Sequence, residues 1–397
     1  MRGKCNRSRQ FALARRIILL AGLLLVWDPA IRPEPAPATA EPAVSAGSLS
    51  PASSQTAAPT RFISAVDSRF RYEGRIDRTD PAAPVIVWQG SQIRIDFTGS
   101  QLAFRMDGLS GQNFFDVHID NAQAILAVSF GTGQRIPCPL PLTGGRHRLM
   151  LFKRSEASAG TVRFQGIEIA HEADASAPAP HVYRLAMEFI GDSITAGACN
   201  EDGATDQWED RRTHNNALSY AAMTAAAFDA DYRSTAVSGM GVCIGWSPVR
   251  AAEVWDRAAP DPASPRADLT AWTPDVVFVN LGENDDSYSR AKGLRFPAGF
   301  SAGYIALVRA IRGAYPAASI VLLRGGMYGG AEGADLRHAW EAAVAELEKA
   351  DPHVTHFVFQ HWTSNHPRVS DHRAMADELA AWLKRQPFIG ARTAGMP

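Results

Sequence analysis

Charge of one sign, cysteine and long apolar runs are all scarce in this chain. Its 397 residues carry 40 Lys and Arg against 41 Asp and Glu, a formal net charge of -1. No basic block and no interleaving of basic with aromatic residues occurs, so nucleic acid and anionic membrane are poor partners. There are 4 cysteines, and the spacing of Cys138, Cys199 and Cys243 fits no zinc template, which argues against a metal site. The one extended apolar run, Ile17 to Trp27, is too short to span a bilayer comfortably, so no integral membrane domain is expected in the mature form.

That run follows Arg2, Lys4, Arg7, Arg9, Arg15 and Arg16, and the two together read as a secretory signal. A small-residue pattern, Ala38-Thr39-Ala40, places its cleavage after residue 40, with an uncleaved anchor as the alternative. Arg15-Arg16 lies in a poor twin-arginine context, which leaves the export route open. The expected location is secreted or periplasmic. Without residues 1–40 there are 33 basic and 39 acidic side chains, a mildly acidic surface that sets no penalty on a neutral polysaccharide. In an oxidising compartment Cys199 and Cys243 are candidates for a disulfide, because each follows closely on a motif described below. Three unpaired buried thiols are the other reading.

What the chain does have is core-forming material, with 46% apolar residues, enough for two domains. Residues 41–60 are rich in Pro, Ala, Ser and Thr and read as a disordered linker. Residues 61–174 show short β-rich runs at 85–88, 92–97, 102–106, 114–119, 124–130, 148–152 and 162–169. Asp120-Asn121, Gly131-Thr132-Gly133 and Gly144-Gly145 fall between them as turns, and the pattern predicts a β-sandwich. A second proline-rich linker spans 175–182. Residues 183–390 then alternate strand and helix, with near-continuous apolar strands at 185–190, 232–237, 276–281, 320–323 and 354–359 and helices at 218–228, 304–314, 336–349 and 372–384. This predicts a doubly wound parallel sheet buried on both faces.

Four short motifs follow the ends of different expected strands: Gly191-Asp192-Ser193-Ile194-Thr195, Ser238-Gly239, Gly282-Glu283-Asn284-Asp285 and Asn365-His366-Pro367. Open α/β sheets bind ligands outside the carboxyl ends of their strands, so the four converge on one edge. Ester hydrolysis needs a nucleophile, a base and donors for an oxyanion. Ser193 supplies the first and His366 the second, returning the proton to the leaving alkoxide. The backbone amides of Ser193 and Gly239 and the side-chain amide of Asn284 supply the oxyanion hole. Singly, each has a plainer role: a helix cap at Asp192-Ser193, a turn at Gly239, a loop contact at Asn284, a surface imidazole at His366. Their order at strand ends is what points to a hydrolase. Ser193 lacks the second glycine of G-x-S-x-G, which argues against an α/β-hydrolase elbow. Gly239-Met240-Gly241 with Gly245 has the look of a dinucleotide fingerprint. It follows the second strand and is interrupted by Trp246-Ser247-Pro248, so no cofactor is expected.

The four motifs resemble those of the SGNH (GDSL-type) hydrolases, whose serine, glycine, asparagine and histidine match Ser193, Gly239, Asn284 and His366. From about Arg69 onward the chain resembles the second family of carbohydrate esterases. That likeness is carried by Gly74-Arg75, Trp88-Gln89-Gly90-Ser91, Val117-His118-Ile119-Asp120, Lys153-Arg154-Ser155-Glu156, Glu188-Phe189-Ile190-Gly191-Asp192-Ser193-Ile194-Thr195, Ser238-Gly239-Met240-Gly241-Val242 and Leu281-Gly282-Glu283-Asn284-Asp285. The resemblance implies a jelly-roll domain ahead of a flavodoxin-like SGNH domain. It also implies a cofactor-free, metal-free acetyl esterase whose partner is an acetylated carbohydrate such as xylan or glucomannan. Glu283 stands where a small polar residue is usual, and Ala198-Cys199-Asn200 departs from the sequence usual after the serine. Thr363 stands where such enzymes commonly carry the aspartate three residues before the histidine. The expectation is therefore a Ser193–His366 dyad with a backbone carbonyl holding the imidazole, or Asp371 reaching in from the next helix. Trp246 and Trp362 are candidate sugar platforms. A lipid or aryl esterase, and a carbohydrate-binding protein with a decayed α/β domain, are the alternative readings. No motif speaks to oligomeric state.

Overall fold

The computed structural model describes residues 59–393. The expected signal at 1–40 and nearly all of the 41–60 linker lie outside the described residues. The first part of the chain is built from strands at Thr60–Ser64 (β1), Arg71–Glu73 (β2), Val85–Ile86 (β3), Gln92–Thr98 (β4), Leu102–Gly111 (β5), Asn113–Ile119 (β6), Ala122–Val128 (β7), Gly131–Pro137 (β8), Arg146–Lys153 (β9), Gly160–Ala170 (β10) and Ala175–Ser176 (β11). They form two antiparallel sheets. One has the order β1-β10-β5-β8 with β3 also on β10; the other runs β11-β4-β9-β6-β7 with β2 on β4. Period-2 alternation turns one side of every long strand inward. Ile93 and Ile95 on β4 face Leu151 and Leu149 across the ladder, and they meet Phe104, Met106, Phe164 and Ile167 of the opposite sheet in one apolar core.

Two departures from the sequence reading have physical causes. Gly131-Thr132-Gly133, read as a turn, opens β8, which among the described residues is an edge strand paired with β5 alone. An edge tolerates glycine because one side of its ladder is free. Ala175–Ser176, read as linker, pairs with Phe97 and Asp96 before the chain leaves the sandwich.

The second part has strands Leu185–Gly191 (β12), Ala230–Ala236 (β13), Val276–Asn280 (β14), Ser319–Arg324 (β15) and Val354–Val358 (β16). Its helices are Ser193–Ala196 (α1), Tyr220–Ala227 (α2), Ala251–Val254 (α3), Glu283–Lys292 (α4), Phe300–Ala314 (α5), Tyr328–Glu332 (α6), Ala334–Ala350 (α7), Val369–Leu383 (α8) and Pro387–Thr393 (α9). The strands are all parallel in the order β13-β12-β14-β15-β16, the flavodoxin-like order. Val277, Val279, Ile320 and Leu322 point to α5 and α7, while Phe278, Val321 and Leu323 point to α2 and α8. Sequence reading missed α4 because its buried side is polar: Glu283, Asn284, Asp285, Asp286 and Ser289. No apolar period marks such a helix. Among the described residues no helix is long and apolar enough to cross a membrane.

The sandwich and the parallel sheet meet across a buried seam. Trp88 and Ala157 of the first join the apolar core of the second. Gly90, at φ 77°, lies so close that a Cβ there would stand 2.7 Å from the Tyr232 ring. Gln89 donates from Nε2 to Ser234 Oγ and to the Ala236 carbonyl, both at 3.0 Å, and accepts from the Ala157 amide at 2.8 Å. Arg75 Nη2 pairs with Glu188 Oε1 on β12 at 2.6 Å, both side chains almost fully buried. Thr235 Oγ1 donates to the same oxygen at 2.9 Å. Removing one member of a buried pair leaves the other uncompensated. Arg75→Ala is therefore expected to cost about 3–5 kcal/mol in denaturant unfolding; a loss below about 1 kcal/mol would mean that the seam carries little of the stability.

Candidate active site

Ser193 stands at the head of α1, directly beyond β12. The turn is built by Asp192, whose carboxyl Oδ1 accepts from the Ile194 amide at 3.1 Å and caps the helix. The four-residue helix ends at Gly197, in the left-handed region at φ 76°. In the ladder Gly191 of β12 sits beside Asn280 of β14. The segments carrying Ser193 and Asn284 thus leave the sheet side by side at the point where strand order reverses, where such sheets open a crevice.

His366 comes from the loop after β16, and its Nε2 lies 2.9 Å from Ser193 Oγ. Neither expected orienting group holds its other nitrogen. Asp206 does: its Oδ2 is 2.7 Å from His366 Nδ1 and accepts from the His366 backbone amide at 3.2 Å. Asp206 Oδ1 pairs with Arg368 at 2.8 Å. Partial burial would raise this carboxyl, but His366 and Arg368 outweigh it and hold it well below the usual carboxylate range. The dyad expectation is thereby corrected to a Ser193–His366–Asp206 constellation. Asp371 accepts from the Arg368 amide at 2.8 Å as part of the α8 cap and faces His361 Nε2 at 2.8 Å. His372 is fully buried, accepting at Nδ1 from the Tyr220 amide. Sequence reasoning missed Asp206 because it lies in the loop after α1, far from the histidine in sequence; no spacing rule ties it to His366.

Gly239 follows β13 at φ 81°, and a Cβ there would stand 2.8 Å from the Ser247 amide nitrogen. Asp285, on α4, fixes this loop by accepting from the amides of Val242, Cys243 and Ile244 at 2.7–3.0 Å. Asn284 lies beside Ser193 and Gly239 in the lining of one cavity. Its Nδ2 donates to Asp192 Oδ2 at 3.0 Å and to the Met240 carbonyl at 3.1 Å. That cavity has a volume of about 520 Å³ and is also walled by Trp208, Arg211, Trp246, Glu283 and Met327. Trp246 is half exposed. Trp362 packs edge-on to Tyr328 and is not in the wall. Trp208, overlooked in the sequence, meets the His366 ring edge-on at 5.1 Å. Glu283 is held by the amides of Gly329 and Gly330 at 3.1 and 2.8 Å, and burial raises its carboxyl.

Cys199, Cys243 and Cys138 are all free thiols, which corrects the disulfide expectation. The buried Cys199 sulfur faces the Gln207 carbonyl and His214 Nε2, each at 3.5 Å, while Cys243 lies on the loop over Asp285. Among the described residues one group of potential metal ligands stands out, Cys199, Asp206 and His366, with donor atoms within 4.8 Å of one another. These donors suit hydrogen bonding better than a cation. The carboxylate is taken by His366 and Arg368, His366 Nε2 faces Ser193 Oγ, and the Cys199 sulfur faces the Gln207 carbonyl and His214.

Two family models match the chain: carbohydrate esterase 2 N-terminal over residues 72–180, and GDSL-like lipase/acylhydrolase over residues 189–385. Fold and matches together define a carboxylic-ester hydrolase of the GDSL type. A solved family two carbohydrate esterase from Clostridium thermocellum, in complex with cellohexaose, is 30% identical at a TM-score of 0.70, over 79% of this chain and 98% of that one. The acetylxylan esterase / glucomannan deacetylase of Cellvibrio japonicus is 25% identical over 82% of this chain and 91% of its own. The cellulase/esterase CelE of Acetivibrio thermocellus is 30% identical over 79% of this chain, which spans only 39% of that longer protein. The chain belongs to the family two carbohydrate esterases.

Asp192 gives the site a pH signature. Burial is the largest influence on its carboxyl, with Glu283 and Asp285 adding to it, and the group is pushed up to about 8. A carboxyl raised on folding stabilises fully below its unfolded value of about 4 and loses that contribution as pH rises towards the folded value. Relative to wild type, Asp192→Asn should therefore gain stability between about pH 5 and pH 8. Denaturant midpoints of the two proteins would report this, and a difference that stays flat over the window would show an ionised Asp192.

Proposed function

We propose that this chain is an exported carbohydrate O-acetyl esterase that works through a serine acyl-enzyme. The observation that carries the reading is the unbroken line of hydrogen-bond contacts from Ser193 Oγ through His366 to Asp206. Ser193 attacks the acetyl carbon while His366 Nε2 takes its proton, and the same nitrogen then protonates the leaving sugar alkoxide. Water, deprotonated in turn by His366, releases acetate. Asp206 holds the Nδ1 proton and stabilises the imidazolium, and its own low carboxyl keeps it an acceptor throughout.

The developing oxyanion would be met by the backbone amides of Ser193 and Gly239 and by Asn284 Nδ2. To take part, Asn284 must relax its bond to the Met240 carbonyl as charge builds on the substrate oxygen. The half-exposed Trp246 offers a ring for a sugar face beside the acetyl group. Acetylated xylan or glucomannan as substrate is supported by the names of the Cellvibrio relative, and export by the basic and apolar first segment.

The test is acetate release from acetylated xylan and glucomannan oligosaccharides. Ser193→Ala should abolish it, Asp206→Asn should lower turnover about a hundredfold or more, and Asn284→Ala about a hundred- to a thousandfold. EDTA should leave it unchanged. Full activity in Ser193→Ala would overturn the mechanism, and cleavage of long-chain aryl esters in preference to the sugars would favour a lipid-type esterase.

A further inference from the structure

Glu156 is a fully buried carboxylate for which the reaction above has no use. It lies just beyond β9, in the sandwich, yet its partners belong to the other half of the molecule. Oε1 accepts from Arg211 Nη1 at 2.8 Å and from His214 Nδ1 at 3.0 Å. Oε2 accepts from the Ser238 hydroxyl. Each oxygen leads to a different side of the catalytic cavity.

On one side, Ser238 directly precedes Gly239, whose amide is offered to the oxyanion. On the other, the Arg211 guanidinium lies 5.0 Å over the Trp208 ring, and His214 meets that ring edge-on at 5.2 Å. Trp208 in turn abuts His366. The wall behind the base and the loop beneath the oxyanion therefore share one anchor. Burial alone would raise the Glu156 carboxyl, but His214, Ser238 and Arg211 more than reverse this and hold it at about 2, so it stays ionised. A fully buried anion held by three donors is a stiff pivot.

We propose that Glu156 is a positioning residue, inserted by the sandwich to set both the Ser238-Gly239 loop and the Trp208-Arg211 wall of the hydrolase site. The sandwich is thus a working part of the active site. This rests on the Ser193–His366 reading above. A residue that only held the seam together would change how much protein is folded and leave each folded molecule fully active.

The experiment counts active molecules and measures turnover per molecule. Wild type, Glu156→Gln, Ser238→Ala and Ser193→Ala, as full chains, are titrated with a fluorophosphonate probe and assayed on a small aryl acetate and on acetylated xylo-oligosaccharides. Glutamine keeps the shape but loses one acceptor oxygen. Turnover per titrated site in Glu156→Gln should fall about tenfold to a hundredfold, the scale of a small misplacement of reacting groups. KM for the aryl acetate should hardly move, while KM for the oligosaccharide should rise as the Trp208 wall shifts. Ser238→Ala, which cuts one arm, should reproduce part of the turnover loss, and the double variant should lose less than the product of the two. Turnover per titrated site within about twofold of wild type in Glu156→Gln would overturn the proposal. Labelling and full activity in Ser193→Ala would instead sink the underlying site reading, a result separable from the first.

Discussion

Burying a charge is tolerable only when its partner is buried with it, and this constraint organises the seam on which both halves of the molecule depend. Arg75 reaches from the sandwich to Glu188 in the parallel sheet. Arg154 binds Asp116 within the sandwich at 2.8 Å and reaches Glu201 in the hydrolase part, while its carbonyl accepts from the Asn216 amide at 2.9 Å. Lys153, wholly buried, donates to Ser155, and burial pulls its ammonium down to about 7 against the pull of Glu156. An apolar seam of equal area would cost less to form. It would also permit the halves to slide, whereas each paired charge admits one relative placement.

The catalytic edge applies the same logic on a smaller scale. Helix α4 starts with Glu283, Asn284, Asp285 and Asp286, all buried, where the positive end of its dipole favours carboxylates. Asp285 spends its oxygens on three amides of the 239–245 loop, and Glu283 on two amides of α6. These acids act as fixed acceptors for backbone donors rather than as reagents. With the loops tied to a helix that leaves the sheet beside Ser193, the cavity walls inherit the rigidity of the parallel strands.

Elements that bury apolar side chains were legible in the sequence. The five parallel strands differ from the sequence reading by two residues or fewer at each end, because β12, β14 and β15 are near-continuous apolar runs buried on both faces, while the more polar β13 and the edge strand β16 each keep apolar residues enough to mark them. What escaped was polar and long-range. Helix α4 has no apolar stripe, and β8 begins with glycines that read as a turn. The motif residues Ser193, Gly239, Asn284 and His366 could be named because each follows a strand end, whereas Trp208, Glu156 and Asp206 sit in loops whose meaning exists only after folding. The pairing of Cys199 with Cys243 failed for a related reason: both follow the ends of neighbouring strands, yet the Cys199 sulfur is turned towards His214.

Asp206 shows why a vacancy at Thr363 leaves the histidine with an acid after all. An imidazole needs an acceptor at Nδ1, and geometry is indifferent to which segment supplies it. Here the loop after α1 curls back until Asp206 meets both the ring and the backbone of His366. Arg368 locks that loop by donating to the Gly203 and Cys199 carbonyls at 2.8 and 2.9 Å while pairing with Asp206. Thr363 is free for another task, and its hydroxyl donates to the Asn365 carbonyl at 2.6 Å, shaping the turn that presents His366. His366 and Asp206 therefore arrive on separate loops, and the loop that carries Asp206 begins just after the short helix headed by Ser193. The segment running from Ser193 to His214 carries Ser193, Asp206 and Trp208, so much of the cavity lining and of the hydrogen-bonded line through His366 is concentrated in one excursion of the chain. The histidine closes it from the far end of the sheet.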